Sequence, residues 1–568
     1  MVSRILLVLI ALVAIISLMI LMFACVLPSL ILIKGKRGGE ERFDHADIVI
    51  LGAGTAGCVL ARRLNEKYPT AKILVLDRGI DRRNDEVVYN IANAAEAAYT
   101  SPYSEVLQTD KEGIVASVGN MYGGGSSHSF ALAVRGSSAF YENRWSHLLG
   151  ISAEDLLTYT KRIESYGGTS ENLDKRGSSG PVFVSPLPSS LNIFSRIIPV
   201  LKRVITGGIP TLAQALTIYR SSEGNLRGTG PFLQAFVRSV SDSKGVPIVE
   251  DYNTGVGACV SSIPQLFVDP SIGIRSSSNT AYIPDNLLYT NNSNLLLRPK
   301  SNIERIVFDG KRANAVEWTD ENGILRKTLV GHKVVSCAGG IYTPWLLQKS
   351  GCTTPGIGDN LLNHYGTTVI ARVPDTQIKP FSSGPVAFVS RTDGKERAWQ
   401  VVVSGPSFVN EALLKDIGLP AKEPGYHYIT FLFWLLDPKA RGSIVWVEGK
   451  KSPNINLRQF EDPGDIESIQ EGVRWLHKVI GDAGADVVYP PKDAFQGGDL
   501  QKYIEQGVSS TDHYSGTCAL GHVVEPSNFK LREFENLHIV DTSVFPAIPD
   551  GNTTFPALLV AEIAADRI

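Results

Sequence analysis

From Ile5 to Ile33 no residue carries a charge, and most positions are Leu, Ile, Val, Met, Ala or Phe. A helix needs about 20 apolar residues to cross the hydrocarbon core of a bilayer, so this stretch predicts one transmembrane helix. A cleaved signal peptide would have an apolar region of only about 7–15 residues, which favours an uncleaved anchor. Arg4 precedes the stretch, and Lys34, Lys36, Arg37 and Arg42 follow it. That excess of basic residues places the large remainder on the cytosolic side of a membrane, as a single-pass protein. Residues 34–43 read as a basic and polar linker.

Beyond the linker the pattern changes. Asp47-Ile48-Val49-Ile50-Leu51 is a short apolar run of the kind that forms a strand buried on both faces. It feeds GAGTAG, after which Val59, Leu60 and Leu64 recur at helical spacing; KILVLD, ending at Asp77, reads as a second strand. Later, YHYITFLFWLL (426–436) and GSIVWV (442–447) read as strands, and IESIQEGVRWLHKVI (466–480) has the spacing of an amphipathic helix. The alternating aromatics Tyr426, Tyr428, Phe431 and Trp434 read first as core, and second as faces for a cation or an apolar chain.

The strand–turn–helix–strand unit carries a physical mechanism. Gly52 permits the tight turn, Gly54 lets backbone approach a pyrophosphate, and Gly57 lets helix and strand pack closely. Thr55 and Ala56 lie within that loop, where the helix N-terminus offers unpaired N–H groups and its positive dipole end. Asp77, about twenty residues on, can accept hydrogen bonds from ribose hydroxyls. The unit predicts dinucleotide binding without choosing between NAD and FAD, and Arg78 keeps NADP open.

The totals narrow the partners. At 568 residues, two domains or one two-lobed fold are expected. A formal net charge of −2 argues against nucleic acid as the main partner. The six cysteines have no CxxC spacing, so neither a metal site nor a disulfide framework is expected.

Three further stretches are more specific. GNMYGGGSSHSFALAVRG (119–136) resembles the first signature of the glucose–methanol–choline (GMC) oxidoreductases, and AGGIYTPWLLQKSG (338–351) resembles their second. HYSGTCALG (513–521) and LHIVDTSVFPAIPDGNTTFPALLVAEIAADRI (537–568) resemble their C-terminal block. The resemblance runs from about Asp44 to the end. It implies FAD as cofactor and an α/β fold. A Rossmann-type FAD lobe would be built from 44–145, 275–364 and 505–568. An interleaved α+β substrate lobe would be built from 146–274 and 365–504.

The resemblance also implies roles for single residues. His513 of the HxxGTC-like motif would be the catalytic base and Asn552 its partner at the developing alkoxide. Gly123, Gly124, Ser126, Ser127, His128 and Ser129 of the first signature would contact the cofactor. So would Ile303, through its backbone at the adenine, Asp541 near the flavin phosphate and ribityl chain, and Thr553 at the isoalloxazine. Relatives such as choline oxidases carry a GGCSSH-like sequence whose histidine is bonded to the flavin methyl; GGGSSHSF matches that version and implies a covalent tether through His128. His364, His477, His522 and His538 are expected to be structural or exposed. Some positions depart from the pattern: Asn363 replaces the usual Asp, Asn120 a common Arg and Ser129 a common Asn. A loop of about fifteen residues is missing after Gly351.

The expected activity is FAD-dependent oxidation of a small-molecule alcohol, with oxygen or a quinone as electron acceptor and the bilayer as a partner of the N-terminal helix. A non-catalytic protein of the same fold, or a lyase or photodecarboxylase that uses FAD without net oxidation, stands as the alternative.

Overall fold

A computed structural model describes residues 44–168, 172–186, 230–271, 273–283, 294–378, 383–391, 397–405, 409–497 and 499–568. The expected anchor over 5–33 and linker over 34–43 lie outside the described residues, among which no helix is long and apolar enough to cross a membrane.

The chain forms β1 (His45–Leu51), α1 (Thr55–Lys67) and β2 (Ile73–Leu76). The last four residues of β1 and all of β2 are buried, because both strands are covered on two faces. A hairpin of β3 (Ser104–Gln108) and β4 (Val115–Gly119) leads to the single helical turn α2 (Gly125–His128). Then come α3 (Pro231–Lys244), β5 (Cys259–Ser261), β6 (Leu295–Arg298), β7 (Asn302–Asp309), β8 (Arg312–Thr319), β9 (Leu325–Ser336) and α4 (Gly339–Lys349). The next stretch is mainly strand: β10 (Tyr365–Pro374), β11 (Ser383–Val389), β12 (Trp399–Ser404) and β13 (Tyr426–Leu435). The long helix α5 (Pro463–Asp482) precedes β14 (Asp486–Tyr489) and β15 (Val508–Ser510), and β16 (Leu537–Ile539) and α6 (Thr554–Arg567) end the chain.

Among the described residues there are two large sheets. The first runs β6-β2-β1-β9-β8-β7, with β16 beside β9. Its β6, β2, β1, β9 and β16 are parallel, and β8 and β7 extend it antiparallel. The C-terminal ends of β1, β2 and β9 meet there: Gly52 donates to the Leu76 carbonyl and Cys337 to that of Leu51, both at 2.8 Å. In such sheets this edge is where dinucleotides bind.

The second sheet runs β14-β10-β13-β12-β11-β5, with β15 beside β10, and every pairing is antiparallel. Side chains alternate in direction along a strand. Val401, Phe431 and Phe433 therefore pack with Phe232 and Phe236 of α3 and Ile469, Val473 and Leu476 of α5. Gln400 and Trp434, paired across β12 and β13, share the opposite face. Of the four aromatics read as core, Tyr428, Phe431 and Trp434 are buried and Tyr426 is exposed. Pairing of β15 with Tyr365–Thr367 keeps the chain in this sheet up to Ser510, a few residues past the expected boundary at 505.

Candidate active site

Leaving β1, the chain turns at Gly52 with φ +104°, and a Cβ there would lie 2.7 Å from the Cys337 carbonyl oxygen. At Gly57 a Cβ would fall 2.0 Å from the Gly52 carbonyl oxygen, so only glycine lets α1 press against the turn. Gly54 caps α1 without a side-chain bond, and the first turn holds no acidic residue. The first amides of α1 are thus left for an anion. Gly52, Gly54, Thr55 and Ala56 line a cavity of ≈ 870 Å³, and Asp77, Gly124, His128, Ile303, Asp541 and Thr553 continue its wall.

Asp77 accepts hydrogen bonds from the Ala53 amide at 2.6 Å and the Gly79 amide at 2.7 Å. Burial pushes its carboxyl up, and these amides oppose that. A carboxylate has further lone pairs for a ribose hydroxyl. Arg78 is committed to the protein: it pairs with Glu105 and lies over the Tyr342 ring, 4.3 Å from its centroid. Asp541 accepts from Thr343 Oγ1 at 2.6 Å and from the Gly339 amide at 2.9 Å, tying the end of β16 to the start of α4. The N-terminus of α6 also opens on the cavity through Thr554 and Ala557.

Five residues expected against the cofactor, Gly57, Gly123, Ser126, Ser127 and Ser129, stand behind this wall. Gly57 faces the Gly52 carbonyl, and the Gly123 amide donates to the Ala53 carbonyl at 2.7 Å. Ser126 Oγ donates to the Gly123 carbonyl at 2.7 Å and Ser127 Oγ to the Tyr122 carbonyl at 2.8 Å; Ser129 Oγ accepts from the Ala131 amide at 3.3 Å. Short hydroxyl side chains reach nearby backbone most readily, so these serines shape the loop from within. His128, at the end of α2, does reach the wall. It is 8% exposed, and its Nδ1 has no hydrogen-bond partner. Burial, and after it the charge of Arg275, pulls its imidazole down to about 4.

Asp512, Tyr514 and Thr553 line the cavity, and they set His513 and Asn552 beside it. His513 Nε2 is 3.4 Å from Asn552 Nδ2, so the structure brings the two expected catalytic residues together. On its other side, His513 Nδ1 is 2.9 Å from Nδ1 of His364, whose Nε2 is 3.2 Å from the Leu436 carbonyl. A carbonyl only accepts, so the hydrogen of neutral His364 sits on Nε2 and its Nδ1 is an acceptor. His513 must then donate from Nδ1, which leaves a lone pair on Nε2, facing Asn552. Burial pulls His364 down to about 3. Burial, with His364 next, holds His513 well below the usual histidine range.

Local contacts hold both side chains in place. Asn363 Oδ1 accepts from the His513 amide at 2.8 Å and from Thr511 Oγ1 at 3.2 Å, while its Nδ2 donates to Ser510 Oγ at 2.9 Å. Asn therefore replaces the expected Asp without loss of the acceptor. Asp550 accepts from the amide and hydroxyl of Ser137, and a Cβ on Gly551 would lie 2.3 Å from Val134 Cγ1. The Asn552 loop is thus seated on the first signature.

Sequence reasoning missed His364 and Gln400. His364, expected to be structural or exposed, is fully buried against the base, because β10 starts beside it and pairs with the strand leading to His513. Gln400 donates from Nε2 to Asn552 Oδ1 at 3.1 Å. His477, by contrast, packs on Phe495, and His538 bonds the Asn528 carbonyl.

Two family models, each described as GMC oxidoreductase, match residues 46–366 and 438–561. Similar curated proteins include an oxygen-dependent choline dehydrogenase of Photobacterium profundum, 24% identical over 92% of this chain and 92% of that protein. Another is the mitochondrial choline dehydrogenase of Homo sapiens, 24% identical over 93% of this chain and 91% of that one. Pyridoxine 4-oxidase from Mesorbium loti superposes with a TM-score of 0.73 at 22% identity, over 92% of this chain and 99% of that chain. Formate oxidase of Aspergillus oryzae RIB40 gives 0.72 at 19% identity, over 93% and 98%; at such identities the superpositions speak for the fold. GMC oxidoreductases bind FAD, and the cradle fits it: free amides at α1, a carboxylate at the ribose position and a cavity of dinucleotide reach. Because the two models together cover more than half of the sequence, in the order its motifs predict, the chain belongs to the GMC oxidoreductase family.

Proposed function

We propose that this chain oxidises the CH–OH group of a small alcohol, with His513 as general base and Asn552 as donor to the developing alkoxide. The observation that carries this reading is the 3.4 Å contact of His513 Nε2 with the Asn552 amide, next to Asp512, Tyr514 and Thr553 of the dinucleotide cavity's wall. Bound FAD would supply the hydride acceptor at N5. Gly52, Gly54, Thr55 and Ala56 would hold its pyrophosphate, Asp77 a ribose, Ile303 the adenine and Asp541 the ribityl end.

The remaining chemistry belongs to the side chains. An alcohol hydroxyl set between Nε2 of His513 and Nδ2 of Asn552 gives its proton to the imidazole, and the amide N–H holds the oxygen as charge develops on it. An imidazole held below its ordinary range stays unprotonated near neutral pH, so the base is ready in the resting state. Burial of His513 and His364 keeps water from competing for that proton. The place of the His128 imidazole on the cavity wall supports a histidine–flavin bond.

The test is anaerobic mixing of the FAD-loaded chain with a panel of primary and secondary alcohols, choline among them. Bleaching of the visible flavin band is expected; a loaded chain that no alcohol bleaches would sink the reading. Reoxidation by air and by a soluble quinone separates the two acceptors. The uncharged stretch over 5–33 supports attachment to a bilayer, which alkaline extraction of a membrane fraction tests.

A further inference from the structure

Gln400 sits in β12, fully buried, on the sheet face opposite α3 and α5. Its neighbours across the strands are Phe388 and Trp434. Trp434 gives its indole N–H to Ser509 Oγ at 2.9 Å and Phe388 has none to give, so Gln400 alone of this row turns a donor toward the site. Its Nε2 donates to Asn552 Oδ1 at 3.1 Å, while its Oε1 is buried without a partner. Buried amides are normally satisfied. Between two aromatic neighbours an apolar side chain would avoid the orphaned oxygen, so packing alone does not account for this residue.

We infer that Gln400 is a positioning residue: it fixes the direction of the hydrogen-bond chain through Asn552 and so keeps Nε2 of His513 free to act. The inference rests on the reading of His513 as the base. The Leu436 carbonyl accepts from His364 Nε2, and His364 Nδ1 accepts from His513 Nδ1. His513 Nε2 accepts from Asn552 Nδ2, and Asn552 Oδ1 accepts from Gln400 Nε2. Every link runs the same way. Turned round, the Asn552 amide would set its oxygen against His513 Nε2, an arrangement that needs a hydrogen on that nitrogen and removes the base. Gln400 holds Asn552 against that turn because its own reversal would leave both of its N–H groups without acceptors, where one is now bonded.

The experiment uses the FAD-loaded full chain with ¹⁵N-labelled histidine. In the unaltered protein the His513 resonances should show hydrogen on Nδ1 and none on Nε2. Gln400→Leu and Gln400→Met remove the donor; Met keeps the length of the side chain in case Leu does not fold. Both should mix the His513 tautomers and slow anaerobic flavin reduction about tenfold or more, with KM changed less than about twofold and FAD content retained. Unchanged tautomer and rate in the variants would overturn the inference, as would loss of FAD together with fold in both, which would mark a packing role. Hydrogen on Nε2 in the unaltered protein would also overturn it. Failure of alcohols to bleach the flavin strikes the oxidation reading instead, and the tautomer readout still judges Gln400.

Discussion

His364 and His513 meet through their Nδ1 atoms at 2.9 Å, with ring planes at 84°. Two buried imidazoles in this contact share one hydrogen, and the Leu436 carbonyl decides which ring owns it. Replacing His364 by Phe keeps a ring of similar size and removes the acceptor for His513 Nδ1–H. We expect flavin reduction by alcohol to slow about ten- to a hundredfold, less than the roughly 10²–10⁴ that loss of a general base costs, because the base itself remains. His364→Phe with a normal rate would mean that His513 holds its tautomer by other means.

His513→Ala removes the proton acceptor itself. The expected loss is about 10²–10⁴ in the rate of flavin reduction, at unchanged FAD content. Asn552→Ala should lose less, because it takes away one donor and leaves the base. Stopped-flow reduction of both variants checks the order; Asn552→Ala falling below His513→Ala would reverse the roles.

The buried histidines make stability depend on pH. His364 is pulled down to about 3, and His128 and His538 to about 4, chiefly by burial. Below the ordinary value of 6.5 the unfolded chain takes up protons that the folded chain refuses. Their stabilisation is therefore complete above about pH 6.5 and is lost as pH falls through 4 for His128 and His538 and toward 3 for His364. At about 1.4 kcal/mol per pKa unit, each is worth a few kcal/mol. Asp512 has the opposite sign: burial pushes it from 3.8 up to about 6, so its cost is full above pH 6 and fades toward pH 4. Thermal melts should fall steadily from pH 6.5 to 4. Asp512→Asn should raise the melting temperature at pH 8 more than at pH 5, since Asn also suits the left-handed backbone there, at φ 56°. Equal gains at both pH values would refute the assignment.

The first sheet was legible because β1 and β2 are buried on both faces and read as unbroken apolar runs, punctuated by Gly52 and Gly57. Pairing His513 with Asn552 needed the family motifs, since the two are 39 residues apart and neither sits in a periodic pattern. His364 and Gln400 were not legible. Their contacts with His513 and Asn552 span 149 and 152 residues, and depend on how the second sheet docks against the loops that carry those residues. The three serines of the first signature show a related limit: the motif places the loop at the cofactor, but each hydroxyl turned to the nearest backbone partner. Alternation along β13 showed that neighbours point apart without saying that Phe431 joins the helices and Trp434 the face that Gln400 shares.

At Gly57 even one methyl group has no room. Its Cβ would sit 2.0 Å from the Gly52 carbonyl oxygen, and both atoms belong to the backbone that shapes the cradle. Gly57→Ala should force α1 away from the turn and weaken FAD binding at least tenfold, a shift of about 1.4 kcal/mol. Fluorescence titration after refolding without FAD, with Gly57→Ala placed on a His128→Ala background so that the flavin stays exchangeable, measures this, and normal affinity would show that the cradle adapts.

His128 presents the last prediction. The imidazole lines the cavity wall, is neutral near pH 7, and has a buried Nδ1 with nothing bonded to it. A Cβ at residue 119 would lie 2.6 Å from His128 Cδ2, so Gly119 at the end of β4 fixes the ring from behind. A neutral, immobile imidazole on the cavity wall suits a bond to the flavin methyl. Acid precipitation of the purified protein should leave the yellow colour in the pellet, and His128→Ala should release it to the supernatant while FAD still binds. Colour released from the unaltered protein would reduce His128 to a neighbour of the ring and leave the role of His513 untouched.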